Sequence, residues 1–214
     1  MTQNELTALH ESAHAVIAWQ LDVPVRCLAL GSPEGVSSLY GYTCCDWKEP
    51  RARLSNDRCL CKNGFAIAYA GAVLEKKVGL GDGSLSRIKR EDEECADFKQ
   101  SVQPIRKCLV EWLGFSAEET QEAENDGHKW ACKLVPEEMA RIKRLAKFLL
   151  DEERLDENAI RNWFINDCRM IRERAYFLWE NKTGKRWWDS MSNWIEAEGQ
   201  ETLLRLAKPG CSEQ

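Results

Sequence analysis

The stretch "LHESAHAVIAW", residues 9–19, contains two of the three histidines of the chain, with a glutamate directly after the first. Residues four apart on a helix lie one above the other, so His10 and His14 can direct ring nitrogens to one point. This spacing is typical of a zinc site in which the glutamate, here Glu11, takes a proton from an attacking water. The motif predicts metal-dependent peptide hydrolysis. The alternative is an ordinary helix whose histidines are satisfied by hydrogen bonds.

A catalytic zinc ion needs a third protein ligand. The extended pattern H-E-x-x-H-x-x-G-x-x-H is absent, because Ile17 and Gln20 stand where its glycine and third histidine belong. The remaining histidine, His128, lies far downstream near the start of a helix, and we expect it to be solvated rather than a ligand.

Acidic residues are the better source of a third ligand, and the segment Arg90–Phe98 contains five of them. A helix that turns by about 100° per residue places Ile88, Cys95, Phe98 and Val102 on one face. Asp92 and Glu91 then lie at the edges of this face, whereas the other three point away, namely Glu93, Glu94 and Asp97. Periodicity therefore predicts Asp92 or Glu91 as the third ligand.

Helical spacing of apolar residues predicts a helix over Asn4–Leu21 that carries the motif. The next stretch, Val23–Leu30, alternates like a strand, and it is either an edge strand that pairs with an extended substrate or a plain core strand. A short hairpin is predicted within residues 36–60, followed by a buried helix over Gly64–Val78 and a helix from about Leu85 to Val102. A capped helix is predicted to open at Ser116, and an amphipathic helix follows with Pro136 in its first turn. A further helix is predicted to begin in "LDENAIRNWF".

Composition and charge are those of a soluble globular protein, with 43% hydrophobic and 30% charged residues. The net charge of −5 provides no broad cationic surface, so we expect no nucleic-acid partner. The longest apolar run, Phe65–Leu74, is about half of a membrane span. Residues 1–10 are polar and leave no room for a secretory leader. We therefore expect no membrane span and a cytoplasmic location.

The chain has ten cysteines, which in the absence of a leader are expected to be reduced thiols. A local cluster is formed by Cys44, Cys45, Cys59 and Cys61. Its C-C and C-x-C spacings depart from the C-x₂-C pattern of structural zinc sites. A second metal site and ordinary free thiols are the two alternatives for this cluster.

Three stretches resemble the peptidase domain of the FtsH-type zinc proteases, the proteolytic half of membrane-anchored AAA machines. "ALHESAHAVIAW" resembles the H-E-A-G-H-A helix of that family, and "AYAGAVLE" (Ala68–Glu75) resembles its A-G-x-x-A-E helix. "DEECA" (Asp92–Ala96) resembles its D-x-x-x-A segment, whose aspartate is the third zinc ligand. A looser likeness extends to about residue 165. Because no counterpart of the ATPase module is present, the peptidase is expected to act without ATP.

The resemblance implies a zincin-like domain over residues 1–166, with a predominantly helical α+β fold and a small sheet. It implies that Zn²⁺ is bound by His10, His14 and Asp92, and that Glu11 is the general base. Extended or unfolded peptide segments are the implied substrates. Glu75 matches a motif position for which the residues alone suggest no role.

The tail resembles a small bacterial domain of unknown function that has an I-R-x-R-A-Y-x-L-W-E…W-x-x-A-E pattern. Here the pattern reads "IRERAYFLWENKTGKRWWDSMSNWIEAE", Ile171–Glu198. Its apolar stripes predict a C-terminal helical hairpin, which we assign to a Trp-rich module of residues 167–207. The tryptophans are expected to pack either on the peptidase domain or on a protein partner.

Two functions are therefore the alternatives. The first is zinc-dependent peptide-bond hydrolysis by an ATP-independent metallopeptidase. The second is a non-catalytic binding or regulatory protein that retains the peptidase fold, with or without the zinc. Glu11 favours the enzyme, because a purely structural site needs no base beside the metal.

Overall fold

The computed structural model describes residues 1–31, 41–45, 58–80, 86, 88, 91, 95 and 97–181. Its helices are α1 (Gln3–Gln20), α2 (Arg58–Lys77), α3 (Gln103–Leu113), α4 (Ala117–Glu137), α5 (Met139–Glu152) and α6 (Glu157–Asn181). Its strands are β1 (Val25–Leu30), β2 (Gly41–Cys45) and β3 (Arg154–Asp156), and a π-helical turn at Phe98–Val102 leads directly into α3. The predicted class, a predominantly helical α+β fold, is confirmed.

Helix α1 carries the H-E-x-x-H motif through the centre of the fold. It begins with a capping box, in which the side chains of Thr2 and Glu5 each accept a hydrogen bond from the backbone N–H of the other. Its following turns are enclosed, because α2, α5, β1 and β2 all pack against it. Small side chains allow this approach, and the alanines fully buried along α1 are Ala8, Ala13, Ala15 and Ala18. Alanine also favours the helix itself.

Strand β1 lies in the centre of the sheet, between β2 and β3. It pairs antiparallel with β2, where Leu28 lies opposite Thr43, and the Leu30 N–H donates to the carbonyl oxygen of Glu153. The expectation of a core strand is confirmed. The expectation of a substrate-binding edge strand is wrong for β1, because other strands occupy both of its edges. Within the described sheet, β2 is an edge strand.

Helix α2 confirms the predicted buried helix, and it begins six residues before Gly64. Every residue from Gly64 to Leu74 is buried. Helix α4 packs against it at Gly127, where a Cβ atom would lie 2.3 Å from Cβ of Phe65 and 2.8 Å from the carbonyl oxygen of Lys62. Glycine therefore permits the two helix backbones to come this close.

The predicted capping box at Ser116 opens α4, where the Ser116 hydroxyl accepts from the Glu119 N–H. The predicted place of Pro136 in the first turn of the next helix is wrong. Pro136 lies in the last turn of α4, and the break comes at Glu138, before α5 begins. A proline lacks the N–H that would donate to the carbonyl oxygen four residues back, so it weakens this last turn of α4.

The chain divides into two compact units, Met1–Leu155 and Asp156–Gln214. In the second unit, the Asp156 carboxylate accepts from the Ala159 N–H at the start of α6. The predicted boundary between residues 166 and 167 falls inside α6 and stays a prediction. The part of the predicted hairpin beyond residue 181 and eight of the eighteen residues of the predicted helix over residues 85–102 lie outside the described residues. No described helix is long and apolar enough to cross a membrane.

Replacing Gly127 by alanine is expected to destabilise the protein, because the added methyl group would overlap Phe65 and the α2 backbone. Overpacking of this kind costs about 1–3 kcal/mol. Urea unfolding followed by circular dichroism measures the change, with Glu122→Ala, an exposed position on the same helix, as the control. Equal stability of Gly127→Ala and the wild type would contradict the close approach of α4 to α2.

Candidate metal centre

Helix α1 places His10 and His14 with the Nε2 atoms of their rings 3.1 Å apart. Nδ1 of His14 lies 2.6 Å from the carbonyl oxygen of Ile67, and Nδ1 of His10 lies 2.8 Å from Oε1 of Glu75. Both acceptors belong to α2. A carbonyl oxygen and a carboxylate can only accept a hydrogen bond, so both Nδ1 atoms carry hydrogen. In each neutral ring, the Nε2 lone pair then points into the space between the histidines.

The carboxylate of Asp97 completes this group. Its Oδ1 atom lies 3.4 Å from Nε2 of His10 and 3.7 Å from Nε2 of His14. Three atoms at these separations lie on a circle of radius about 2.0 Å, so one point lies about one Zn–N bond length from all three. The side chains are between 9% and 16% exposed. The chain thus contains a possible metal-binding triad of His10, His14 and Asp97.

The electrostatics of the triad favour a positive charge at its centre. Burial acts against the charged form of His10, but the carboxylates of Asp97, Glu75 and Glu11 outweigh it and hold the pKa of His10 well above its ordinary value. Burial alone would raise the pKa of Asp97, yet the two histidines lower it. Three acceptor atoms directed at one point repel each other unless a proton or a metal ion lies between them. A metal ion would therefore displace a proton from His10.

Glu11 lies beside the triad without belonging to it. Its side chain is buried, and its Oε2 atom accepts a 2.6 Å hydrogen bond from the hydroxyl of Thr43 on β2. The close approach of β2 to α1 depends on Gly41, where a Cβ atom would lie 2.5 Å from Cγ2 of Thr7 and 2.9 Å from Cγ of Glu11. Strand β2 therefore fixes the orientation of the Glu11 carboxylate. No motif in the sequence points to Thr43.

Gly71 and Glu75 of α2 form the surface on which the His10 ring rests. A Cβ atom at Gly71 would lie 2.3 Å from Nε2 of His10, so only glycine leaves room for the ring. One turn later, Glu75 accepts the hydrogen of Nδ1 and thereby orients the ring. Carboxylates that orient metal-binding histidines in this way also raise the basicity of the ligand. This gives the Glu75 motif position a role that the sequence alone does not suggest.

Helical periodicity predicts Asp92 or Glu91 as the third ligand, and it predicts that the Asp97 side chain points away from the apolar face. The prediction for Asp97 is wrong, because its carboxylate lies against both histidines. The structure does not bring Glu91 to them: its side chain is 60% exposed and pairs with Arg106 at 2.6 Å. Asp92 lies outside the described residues.

The cause of this error is that the segment is not one regular α-helix. The predicted apolar face is confirmed, since its four residues are all buried. However, Glu91 has a left-handed φ of 57°, and in the π-helical turn the Gln103 N–H donates five residues back to the Phe98 carbonyl. A rotation of about 100° per residue does not hold across either feature.

A buried network holds the segment next to Asp97 in place. Glu124 of α4 is 3% exposed and accepts hydrogen bonds from the Tyr69 hydroxyl of α2 at 2.5 Å and from Nη2 of Arg106 at 3.0 Å. Burial and Glu124 raise the pKa of Tyr69, so its hydroxyl keeps the hydrogen that it donates. The Arg106 guanidinium also lies over the ring of Phe98, 5.6 Å from its centroid. Arg106 therefore links the neighbour of Asp97 to α4, and through Glu124 to α2.

The other candidate ligands do not join the triad. His128 lies against the Tyr69 ring, with the centroids 5.0 Å apart, and its Nε2 atom is 3.5 Å from Sγ of Cys132. Cys44 and Cys45 lie on β2 as free thiols, and the side chains of Cys59 and Cys61 lie outside the described residues. Among the described residues, the triad is the one group of three His, Cys, Asp or Glu side chains that converges.

Replacing Glu75 by glutamine is expected to weaken metal binding about 10- to 100-fold, because a neutral amide polarises and orients His10 less than a carboxylate does. Competition against a chromophoric chelator, with Zn²⁺ as the probe, measures the affinity. Glu122→Gln on the surface of α4 is the matched control. An unchanged affinity in Glu75→Gln would contradict the orienting role.

In protein stripped of metal, the ion pair of His10 and Asp97 is expected to stabilise the fold most between about pH 4 and 6.5. Because the pKa of His10 is raised in the folded chain, protonated His10 stabilises the fold below pH 6.5, its ordinary pKa. This stabilisation is lost as the pH rises through the pKa that His10 has in the folded chain. Because the pKa of Asp97 is lowered in the folded chain, ionised Asp97 stabilises the fold above pH 3.8, its ordinary pKa. This stabilisation is lost as the pH falls through the pKa that Asp97 has in the folded chain.

Urea unfolding of the wild type and of Asp97→Asn, both in excess chelator, tests this prediction from about pH 4 to about pH 9. The difference in unfolding free energy between the two proteins should shrink on the alkaline side. A difference that does not change with pH would show that the two groups do not interact as an ion pair.

No model of a known protein family matches the chain, and no curated protein matches it either. The likeness to FtsH-type peptidases therefore rests on the three quoted stretches, and the metal-binding triad rests on side-chain geometry.

Proposed function

We propose that the protein is a zinc-dependent peptidase in which His10, His14 and Asp97 bind the metal. The observation that carries the proposal is the convergence of two Nε2 lone pairs and a carboxylate oxygen on one point. Each imidazole donates its Nδ1 hydrogen elsewhere, so the three atoms present only lone pairs to that point once His10 has lost its additional proton. The fit with Zn²⁺ is good, because catalytic zinc sites use three protein ligands drawn from histidine and carboxylate side chains.

The position of Glu11 favours hydrolysis over other metal chemistry. Two histidines and a carboxylate also bind iron in oxygenases, so the ligands alone do not decide the reaction. A buried carboxylate beside the triad, outside the ligand set and oriented by Thr43, suits a general base. When bound, zinc supplies Lewis-acid chemistry to a substrate carbonyl and makes a nucleophile of water.

Glu11 has the proton-transfer role in this proposal. Thr43 donates to its Oε2 atom, which keeps the carboxylate from rotating away. The carboxylate accepts a proton from the attacking water and later delivers it to the leaving amine. Because Thr43 is part of β2, its hydrogen bond keeps the Glu11 carboxylate at a fixed distance from the triad.

Extended or unfolded peptide segments are the proposed substrates. Strand β2 is an edge of the described sheet, and its residue Thr43 touches the proposed base. An extended peptide would pair with that edge through backbone hydrogen bonds, with its scissile bond close to Glu11. The pairing with substrate that the sequence predicts for β1 is therefore proposed for β2 instead.

Metal analysis of protein purified without chelator or histidine tag tests the ligand set. We expect about one zinc per chain in the wild type and in Asp92→Ala, and a loss of zinc in His14→Ala and Asp97→Ala. Asp92→Ala is the matched control, because it removes a nearby carboxylate that the proposal does not use. Zinc retained by Asp97→Ala but lost from Asp92→Ala would overturn the proposed third ligand. Iron in place of zinc would overturn the proposed metal.

Hydrolysis is tested with a quenched fluorescent derivative of an unfolded protein. Glu11→Gln is expected to keep its zinc and to lose activity by a factor of about 10² or more. Thr43→Val should lower activity less than Glu11→Gln does. A wild type that binds zinc and cleaves no peptide would contradict the enzyme and favour the non-catalytic binding protein.

A further inference from the structure

The β1–β2 hairpin carries two cysteines that lie directly opposite each other. Cys27 of β1 and Cys44 of β2 are partners in the antiparallel register. Directly opposite residues in such a pair have Cα atoms about 4.5 or 5.5 Å apart. A disulfide bond requires Cα atoms about 4.4–6.8 Å apart. The register is irregular between Val25 and Cys27, but it is regular from Cys27 to Leu30, so the Cys27–Cys44 pair lies within disulfide distance.

The two thiols also point to the same face of the hairpin. The opposite face meets α1, since Leu28 is fully buried and the Thr43 hydroxyl contacts Glu11. Side chains alternate along a strand, so Cys27 and Cys44 lie on the face away from α1. The 3.9 Å contact between Sγ of Cys27 and the Tyr42 hydroxyl agrees with this, because Tyr42 and Cys44 share one face of β2.

The Cys44 thiol is more accessible than that of its neighbour Cys45. Cys44 is exposed and Cys27 is half-buried, so a small oxidant can reach them. Cys45 lies opposite the buried Val25 on the inner face. Burial raises the pKa of Cys45 to about 12, so it forms little of the reactive thiolate.

We propose that Cys27 and Cys44 are a redox modification site, which a small disulfide such as oxidised glutathione converts into a cross-strand disulfide bond. The Cys44 thiolate attacks one sulfur of oxidised glutathione, and a glutathione thiolate leaves. The Cys27 thiolate then attacks Sγ of Cys44 and releases the second glutathione. The two cysteines lose their two protons to the departing thiolates, so one disulfide is reduced as the other forms.

This site goes beyond the proposed peptidase function and does not depend on it. Its formation would tie β2 covalently to β1 on the far side of the sheet from Glu11. Because Thr43 is adjacent to Cys44, the oxidised hairpin would hold the support of Glu11 more rigidly.

The test uses the full chain, incubated with oxidised glutathione at mildly alkaline pH, because burial and the Cys27 thiol raise the pKa of Cys44. Free thiols are then alkylated, and the protein is digested with a glutamate-specific protease, which cleaves at Glu34 between the two cysteines. Mass spectrometry without reduction should find the Cys27 and Cys44 peptides linked. The link should persist in Cys45→Ser, which removes the adjacent thiol.

Thermal unfolding provides a second measurement. Oxidation should raise the melting temperature by about 5–10 °C, and a reducing agent should reverse the change. The rise should disappear in Cys27→Ser and in Cys44→Ser, and it should persist in Cys132→Ser, which removes an exposed thiol on α4. Recovery of both cysteines as alkylated thiols would overturn the proposal. So would a stable glutathione adduct on Cys44, or a link from Cys44 to a different cysteine.

Discussion

The hydrogen bonds from the two Nδ1 atoms of the histidine pair are the constraint on which the rest of the site depends. Both acceptors, the Ile67 carbonyl oxygen and the Glu75 carboxylate, belong to α2. They determine which nitrogen of each ring keeps its lone pair, and so they direct both Nε2 atoms to one point. A small shift of α2 along α1 would break both hydrogen bonds together. The relative position of these two helices is therefore part of the chemistry.

Much of the fold serves to keep α2 in that position. Alanines on α1 and Gly71 on α2 let the two helices approach until the His10 ring lies against the α2 backbone. On its other side, α2 is held by α4 at Gly127 and by the hydrogen bond from Tyr69 to Glu124. The third ligand depends on the same framework, because Arg106 joins Glu124 to the residue beside Asp97. One buried carboxylate thus ties α2, which orients both histidines, to the segment that carries Asp97.

The sequence was sufficient to predict the elements with strong local signals. The motif helix, the buried helix α2 and the capping box at Ser116 follow from periodicity and hydrogen-bonding chemistry that act within a few residues. Asp97 could not be predicted from periodicity, because a left-handed residue and a π-helical turn interrupt the regular helix that periodicity requires.

Contacts between distant segments were also beyond the reach of local patterns. Glu75 and Thr43 act on His10 and Glu11 only after α2 and β2 pack against α1. No rule of spacing relates residues from different elements that meet in this way. Gly71 shows the same limit, because a glycine within a helix pattern does not indicate which ring will rest against it.

The ligands come from two segments of the chain, and His10 and Asp97 are 87 positions apart. A metal ion bound by both would act as a reversible cross-link that closes a long loop, and such a loop has a large closure entropy in the unfolded chain. Such an ion would bind the folded chain better than the unfolded one, so its concentration would set the apparent stability of this unit. Metal supply in the surroundings would then govern how long the folded chain persists, separately from any effect on turnover.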